Sequence, residues 1–409
     1  IVMRLEFRRV LFLSGDKKRS GKHHDDDEEE INHWQRVTAS FKNFPFYQLK
    51  KLEEIEGQLK KGLESYPDIL DEQLKFITAR KDQLMEMIPF ISLLVARSPF
   101  PPIGQPTDED FGRVASVMRQ FVREWSEEGK LERDMCFNPI FKALSKYCPS
   151  SSDSTVESPI VLVPGSGLGR LGYELSQLGY AVECNEVSVF MLLGSAVALN
   201  FFTSAEQFTV MPLICETINM VKDEDIVKKV KIPDILPGKS PKASSKSMPK
   251  FCLCAGEFLD CYACDCEEKE AEERAECCKD SKEECCTVTD DSVIKKKNPC
   301  STCERYDVIV TCFFIDTAHN VTKYIERIAK LLKPGGIWIN LGPLMYHWVG
   351  MGDQESLEIS WSTIKSISEK NGFMLCEEEL LRDIPYCSYH ERLRENRFNC
   401  IFSVMRMPE

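Results

Sequence analysis

The run Val161-Leu162-Val163-Pro164-Gly165-Ser166-Gly167-Leu168-Gly169-Arg170 carries the clearest chemistry in the chain. An apolar strand that breaks into closely spaced glycines lets the backbone approach a ligand without side-chain interference. Gly165 and Gly167 are the candidates for that approach. Glu186 lies 21 residues after Gly165, where a carboxylate at the end of a second strand can accept both ribose hydroxyls of a nucleoside. The loop reads G-x-G-x-G, with Arg170 where a dinucleotide-binding loop has its last glycine. That pattern suits S-adenosylmethionine (SAM), which has no pyrophosphate to cradle, better than a dinucleotide. A second string, Leu331-Leu332-Lys333-Pro334-Gly335-Gly336-Ile337, reads as a helix end, a turn and a strand entry. Together the two strings favour methyl transfer over hydride transfer.

These residues need elements to hold them. Residues 160–163 are wholly apolar and follow a proline, which predicts a strand buried on both faces, the habit of parallel sheets. Helices are expected at 171–178 and 189–199, with a strand at 181–185 between them. Further strands are expected at 251–254, 307–314 and 337–341, the last two separated by a helix at 321–332. Strands alternating with helices give an α/β sheet wound by right-handed crossovers. Residues 373–376 and 398–405 read as an antiparallel pair closing the sheet. Ahead of the sheet, residues 31–150 read as helical. Trp34, Val37, Phe41 and Phe44 recur at helical spacing, as do Val114, Val117, Met118, Phe121, Val122 and Trp125. Asn138-Pro139 reads as the opening of a further helix, and the Lys-, Pro- and Ser-rich stretch 222–250 as a loop.

Residues 1–30 end in the acidic run 25–30 and read as a disordered tail. The net charge of −13 disfavours a duplex nucleic-acid partner, since such binding rests on basic clusters. No apolar run reaches the ~18 residues of a membrane-spanning helix, and residues 10–13 are too short a run for a signal-peptide core. Of 19 cysteines, 11 lie between Cys252 and Cys303. An odd total with one dense cluster argues against a secreted disulfide framework. Cys261-x-x-Cys264 and Cys300-x-x-Cys303 have the pairing of a zinc site. However, 35 residues separate the pairs, more than the usual ~15–20. The stretch 261–305 is expected to be an acidic excursion. Between 261 and 291, twelve acids face four bases, and few apolar groups are available to offset chain entropy.

Five strings together resemble the carnosine N-methyltransferase family. They are Gln120-Phe121-Val122-Arg123-Glu124-Trp125-Ser126, the glycine loop, Asn185-Glu186-Val187-Ser188, Thr311-Cys312-Phe313-Phe314-Ile315-Asp316-Thr317-Ala318-His319-Asn320, and Gly336-Ile337-Trp338-Ile339-Asn340-Leu341-Gly342-Pro343-Leu344-Met345-Tyr346-His347. The family methylates the imidazole of carnosine, a β-alanyl-histidine dipeptide, to give anserine. The resemblance covers most of 31–200 and 306–409 and is absent from about 262–304. It implies a class I SAM-methyltransferase fold: α/β, Rossmann-like, with helices on both faces of the sheet and an N-terminal helical region. The catalytic domain would be 151–409, with the Cys-rich insertion inside it, and 31–150 would contribute to the SAM site.

Carried over residue by residue, the resemblance implies that Gln120, Arg123, Gly165, Gly167, Glu186, Glu257, Phe258 and Cys312 hold SAM, and that Asp316, His347 and Phe398 meet the imidazole substrate. Gln120 and Arg123 are three apart on one helix face, and a guanidinium suits the methionyl carboxylate. Asp316 is expected to accept the ring N–H, leaving the opposite nitrogen to attack, while His347 holds the ring. The chain departs from the family at Glu257, where Asp is usual, at Val187, where Trp is usual, and at Phe398, where a Tyr touches the peptide. Two alternatives stand beside this reading: a methyltransferase acting on histidine in peptides or proteins, and a non-catalytic SAM- or metal-binding protein. The expected partner is a small dipeptide, with no nucleic acid, membrane or resident metal. A homodimer in the cytoplasm, and also in the nucleus, completes the expectation.

Overall fold

The computed structural model describes residues 23–151, 156–214, 216, 218–237, 251–263, 303–352, 354–388 and 392–409. The chain opens with helices α1 (His23–Gly62), α2 (Pro67–Glu86), α3 (Ile88–Arg97), α4 (Asp108–Trp125) and α5 (Lys130–Tyr147). The acidic run 25–30, expected in a tail, instead lies within α1. Pro139 does not open a helix; it sits inside α5. The N-terminus of α4 is closed by a capping box, in which Thr107 accepts from Asp110 N–H and the Asp110 carboxylate accepts from Thr107 N–H.

The α/β part follows as β1 (Ile160–Pro164), α6 (Arg170–Gln177), β2 (Ala181–Glu186), α7 (Val189–Asn200), β3 (Phe208–Val210), α8 (Asp223–Ile226), β4 (Val230–Ile232), β5 (Phe251–Ala255), α9 (Phe258–Cys261) and β6 (Tyr306–Cys312). It ends with α10 (Val321–Leu331), β7 (Leu332–Gly342), α11 (Trp361–Lys370), β8 (Met374–Pro385) and β9 (Arg397–Arg406). The seven-stranded sheet has the order β5-β2-β1-β6-β7-β9-β8. Its first five strands are parallel. The chain then returns antiparallel through β9 and β8, the closing pair read from the sequence. The α/β fold of the class I methyltransferase type is therefore present.

The two faces of the sheet follow from the period-two alternation of a strand. Val161 and Val163 join one buried cluster with Trp34, Phe41, Phe90, Phe121 and Leu193. Leu162 points the other way, into a cluster with Tyr324, Ile325, Ile328 and Ile364. The N-terminal helices thus share the core of one sheet face, and α10 and α11 cover the other.

Two further expectations need correction. The stretch 222–250 is not all loop: α8 and β4 occupy part of it, and β4 pairs antiparallel with β3. Val230 and Ile232 point inward with Lys231 exposed between them, so one short alternation is hidden among Lys and Pro; residues 238–250 lie outside the described set. The turn expected at 333–336 is instead the irregular start of β7, where the register with β6 shifts and Gly335 takes φ +73°.

Candidate active site

Parallel strands bring their C-terminal ends to one edge, which is where open α/β sheets bind ligands. At that edge lies a cavity of about 490 Å³, within the ~300–1,000 Å³ usual for small-molecule sites. One wall is the glycine loop between β1 and α6. Gly165 and Gly167 have φ of +64° and +57°, which side chains rarely adopt. A Cβ at Gly165 would stand 2.5 Å from the Phe314 ring, and one at Gly167 would stand 2.7 Å from the Glu124 carboxylate. Glu186, ending β2, turns its carboxylate back onto this loop. Oε2 accepts from Gly167 N–H at 2.8 Å, and Oε1 from Val187 and Ser188 N–H, each at 2.9 Å. Burial raises the Glu186 pKa, and these three N–H groups oppose the rise.

Helix α4 supplies the next wall. Gln120 and Glu124 are one turn apart and share a hydrogen bond of 2.5 Å. Glu124 also accepts from the N–H groups of Leu168 and Arg170, at 3.1 and 3.0 Å. Arg123 pairs with buried Glu132, and its guanidinium lies 4.6 Å from the Tyr386 ring and 5.7 Å from the Phe313 ring. Burial works against the Arg123 charge, but Glu132 and nearby groups hold its pKa above the ordinary value. Its Nη2 is buried without a hydrogen-bond partner.

The C-terminus of α4 leaves carbonyls that need donors. Arg133 donates to the carbonyls of Arg123 and Ser126, Arg170 to that of Glu124, and Asp234 N–H to that of Trp125. The Asp234 carboxylate joins the two arginines, 2.7 Å from each. Glu124 and Asp234 were missed as site residues in the sequence. Glu124 lies in a string quoted for its resemblance, but nothing in its spacing signals that it caps α6.

The remaining wall comes from the ends of β5, β6 and β7. Glu257 accepts from Asp260 N–H at 3.0 Å and from the Tyr324 hydroxyl at 3.3 Å. Tyr324 stacks on Phe314 with centroids 4.9 Å apart, and Phe258 meets both rings edge-on. Cys312 lines the cavity, with its thiol pKa raised by burial. His347, Thr317, His319, Trp348 and Tyr386 complete the wall. Trp348 Nε1 donates to the Thr317 carbonyl at 2.9 Å.

The sequence-predicted residues Gln120, Arg123, Gly165, Gly167, Glu186, Glu257, Phe258, Cys312 and His347 all line this one cavity. Asp316 does not. It is 2% exposed, on the turn after β6, with Oδ2 accepting Met345 N–H at 2.8 Å and its carbonyl accepting His347 N–H at 3.0 Å. It lies behind the wall and holds the segment that carries His347. Burial raises the Asp316 pKa, opposed by Met345 N–H and His347. Phe398 also stands back from the cavity, packed 6.2 Å from Phe313 and 6.4 Å from Tyr386. Val187, at the Trp position of the family, lines the cavity and is 62% exposed. Of the zinc candidates, Cys264 and Cys300 lie outside the described residues. Cys261 Sγ is 3.4 Å from the Ala255 carbonyl. Among the described residues no three or more His, Cys, Asp or Glu are grouped to hold a metal, and no helix is long and apolar enough to cross a membrane.

The comparisons agree with the motifs. Carnosine N-methyltransferase of Mus musculus is 35% identical over 302 residues, covering 73% of this chain and 64% of that protein. Carnosine N-methyltransferase unmet of Drosophila melanogaster is 32% identical over 297 residues, covering 73% of this chain and 56% of that protein. The chain thus spans less than two thirds of the length of these relatives. Among solved structures, a putative methyltransferase bound to the Trm112 activator of Haloferax volcanii aligns over 72% of this chain and 98% of its own. Its TM-score of 0.37 and 12% identity are too low to bear on the assignment. The family's own sequence model, described as carnosine N-methyltransferase, matches residues 102–409. That match runs from the helix carrying Gln120 and Arg123 to the last strand of the sheet, and the chain belongs to the carnosine N-methyltransferase family.

Proposed function

We propose that this chain is a SAM-dependent N-methyltransferase that methylates the imidazole of carnosine to give anserine, and acts on related histidine-containing dipeptides. The observation that carries the reading is one cavity with two chemically distinct halves. Glu186, Gln120, Arg123 and the glycine loop line one part, with Tyr386 against Arg123; His347, His319 and Trp348 line the other.

The residues fit SAM. Arg123 offers a buried N–H donor without a partner, suited to a carboxylate, and Gly165 keeps open a space that a Cβ would fill. When bound, SAM supplies a methyl group activated on a sulfonium, which an in-line lone pair can accept. The protein's own task is positioning. Free imidazole has a pKa near ~6.5, so most of it is already neutral at pH 7, and orientation can supply several kcal/mol. Glu186 and Glu257 hold hydroxyl and amine donors, while Gln120 and Arg123 hold the amino-acid end. His347 orients the ring. Asp316 favours the positive charge that grows on the ring and fixes the main chain of Met345 and His347.

The test is to supply methyl-labelled SAM with carnosine, homocarnosine, histidine or a histidine-containing peptide, each in turn. Faster transfer to the dipeptides supports the reading. Preference for the peptide moves the function to peptide histidine, and label in none of them leaves a binding protein.

A further inference from the structure

His319 is held in a way that no role assigned above uses. Its ring lies on Trp348, with centroids 3.8 Å apart and planes 21° from parallel. Nδ1 is 2.9 Å from the main-chain carbonyl of Glu355. A carbonyl oxygen can only accept, so Nδ1 carries the proton and Nε2 keeps the lone pair. The backbone holds the same residue from its other side, since Leu357 N–H donates to the His319 carbonyl at 2.9 Å. Trp348 is itself fixed by its bond to the Thr317 carbonyl. One face of the His319 ring and its Nδ1 edge are thus occupied, and the residue, like His347, lines the cavity.

We propose that His319 Nε2 is the proton acceptor of the reaction, taking the N–H proton of the substrate imidazole as that ring is methylated. The proposal rests on the imidazole-methylation reading and deepens it. The balance is simple. The bare ring nitrogen bonds to the methyl carbon, the carbon–sulfur bond breaks, and sulfur keeps the electron pair. The ring is left with one positive charge and an N–H on its other nitrogen. That proton passes to Nε2, which gives a neutral methylated product and a protonated His319, and water then carries the proton away.

The surroundings suit both states of His319. With the ring neutral, the Glu355 carbonyl fixes the tautomer that presents a base. With the ring protonated, the same carbonyl still accepts Nδ1–H, and the Trp348 face stabilises the cation. Asp316 is buried behind the wall with Oδ2 committed to Met345 N–H, so His319 presents the freer acceptor.

The test is the pH–rate profile of His319→Gln on carnosine, read beside SAM affinity by calorimetry. The other titratable groups facing this wall are Asp316, His347 and Glu355, with Glu257 and Tyr324 lining the same cavity. All are unchanged in the variant, so the difference between profiles isolates His319. The expected result is turnover about 10²-fold lower near neutral pH, with unchanged SAM affinity and a deficit that shrinks as pH rises and hydroxide replaces the missing base. Wild-type turnover, or a deficit equal at every pH, overturns the proposal; the second outcome makes His319 a packing residue. Should His319→Gln fail to fold, His319→Ala carries the same comparison. A wild-type chain that leaves carnosine unmethylated overturns the functional reading and this proposal with it, whereas the variant's results bear on His319 alone.

Discussion

Glu124 and Arg170 hold each other from both ends. The Glu124 carboxylate accepts the Arg170 main-chain N–H at 3.0 Å, and the Arg170 guanidinium donates to the Glu124 main-chain carbonyl at 2.8 Å. This clasp fastens the start of α6 to the end of α4, so the glycine loop and the pair Gln120 and Arg123 keep a fixed relation. It also explains why Arg170 stands where a dinucleotide-binding loop has glycine. In place of a phosphate, a carboxylate of the protein itself accepts the N–H of Arg170, the first residue of α6, and that of Leu168 in the loop before it.

Asp234 is the hub behind that clasp. Asp234→Ala leaves Arg133 and Arg170 buried without their shared anion, and should cost ~3–5 kcal/mol of stability. Glu377→Gln, at the surface pair with Lys146, should cost under ~1 kcal/mol. Urea unfolding of the two variants checks this. Losses of equal size would show that the buried cluster has no special role.

Gly165→Ala places a methyl group against Phe314 at a φ that alanine resists. The expected outcome is SAM affinity about 5- to 150-fold weaker, from strain of ~1–3 kcal/mol, with the fold intact by circular dichroism. Unchanged calorimetric affinity would place the cofactor away from this loop.

Glu186→Ala should weaken SAM binding by ~1–3 kcal/mol, as for hydrogen bonds to a charged group. Because burial raises the Glu186 pKa, the carboxylate protonates at a higher pH than an exposed Glu. Wild-type affinity for S-adenosylhomocysteine should therefore fall on mild acidification, and Glu186→Gln should remove that dependence. The sign for stability is opposite. With the folded pKa raised, this group's contribution is full below the unfolded pKa and fades as pH rises through the folded one. Acid should thus release ligand without unfolding through this group. Parallel pH curves for wild type and Glu186→Gln would assign the dependence elsewhere.

Asp316→Asn keeps the shape of the turn and removes the charge behind His347. Turnover of carnosine should fall ~10²-fold, as for loss of a preorganised charge, with SAM affinity near that of the wild type. A full wild-type rate would make Asp316 purely structural.

Much of this site was legible because its signals are local in sequence. The apolar run at 160–163, the glycines after it and the spacing to Glu186 each reflect one strand–loop–helix unit. Gln120 and Arg123 became readable through the resemblance of their helix. Asp234 carried no signal, because its partners Arg133 and Arg170 lie 101 and 64 residues away and meet it only once β4 is packed. Residue type could suggest that Asp316 acts near an imidazole, but not that its Oδ2 is spent on Met345 N–H. His319 was visible only as a letter in a resembling string, since its tautomer is set by a carbonyl 36 residues away.

The central claim is methylation of an imidazole nitrogen, and the most direct measurement is nuclear magnetic resonance of carnosine after incubation with the protein and SAM labelled on its methyl carbon. The account predicts one new labelled N-methyl signal, coupled to the imidazole ring protons and increasing in step with S-adenosylhomocysteine. Label on the β-alanyl amine, or SAM consumed with no label on carnosine, would contradict it.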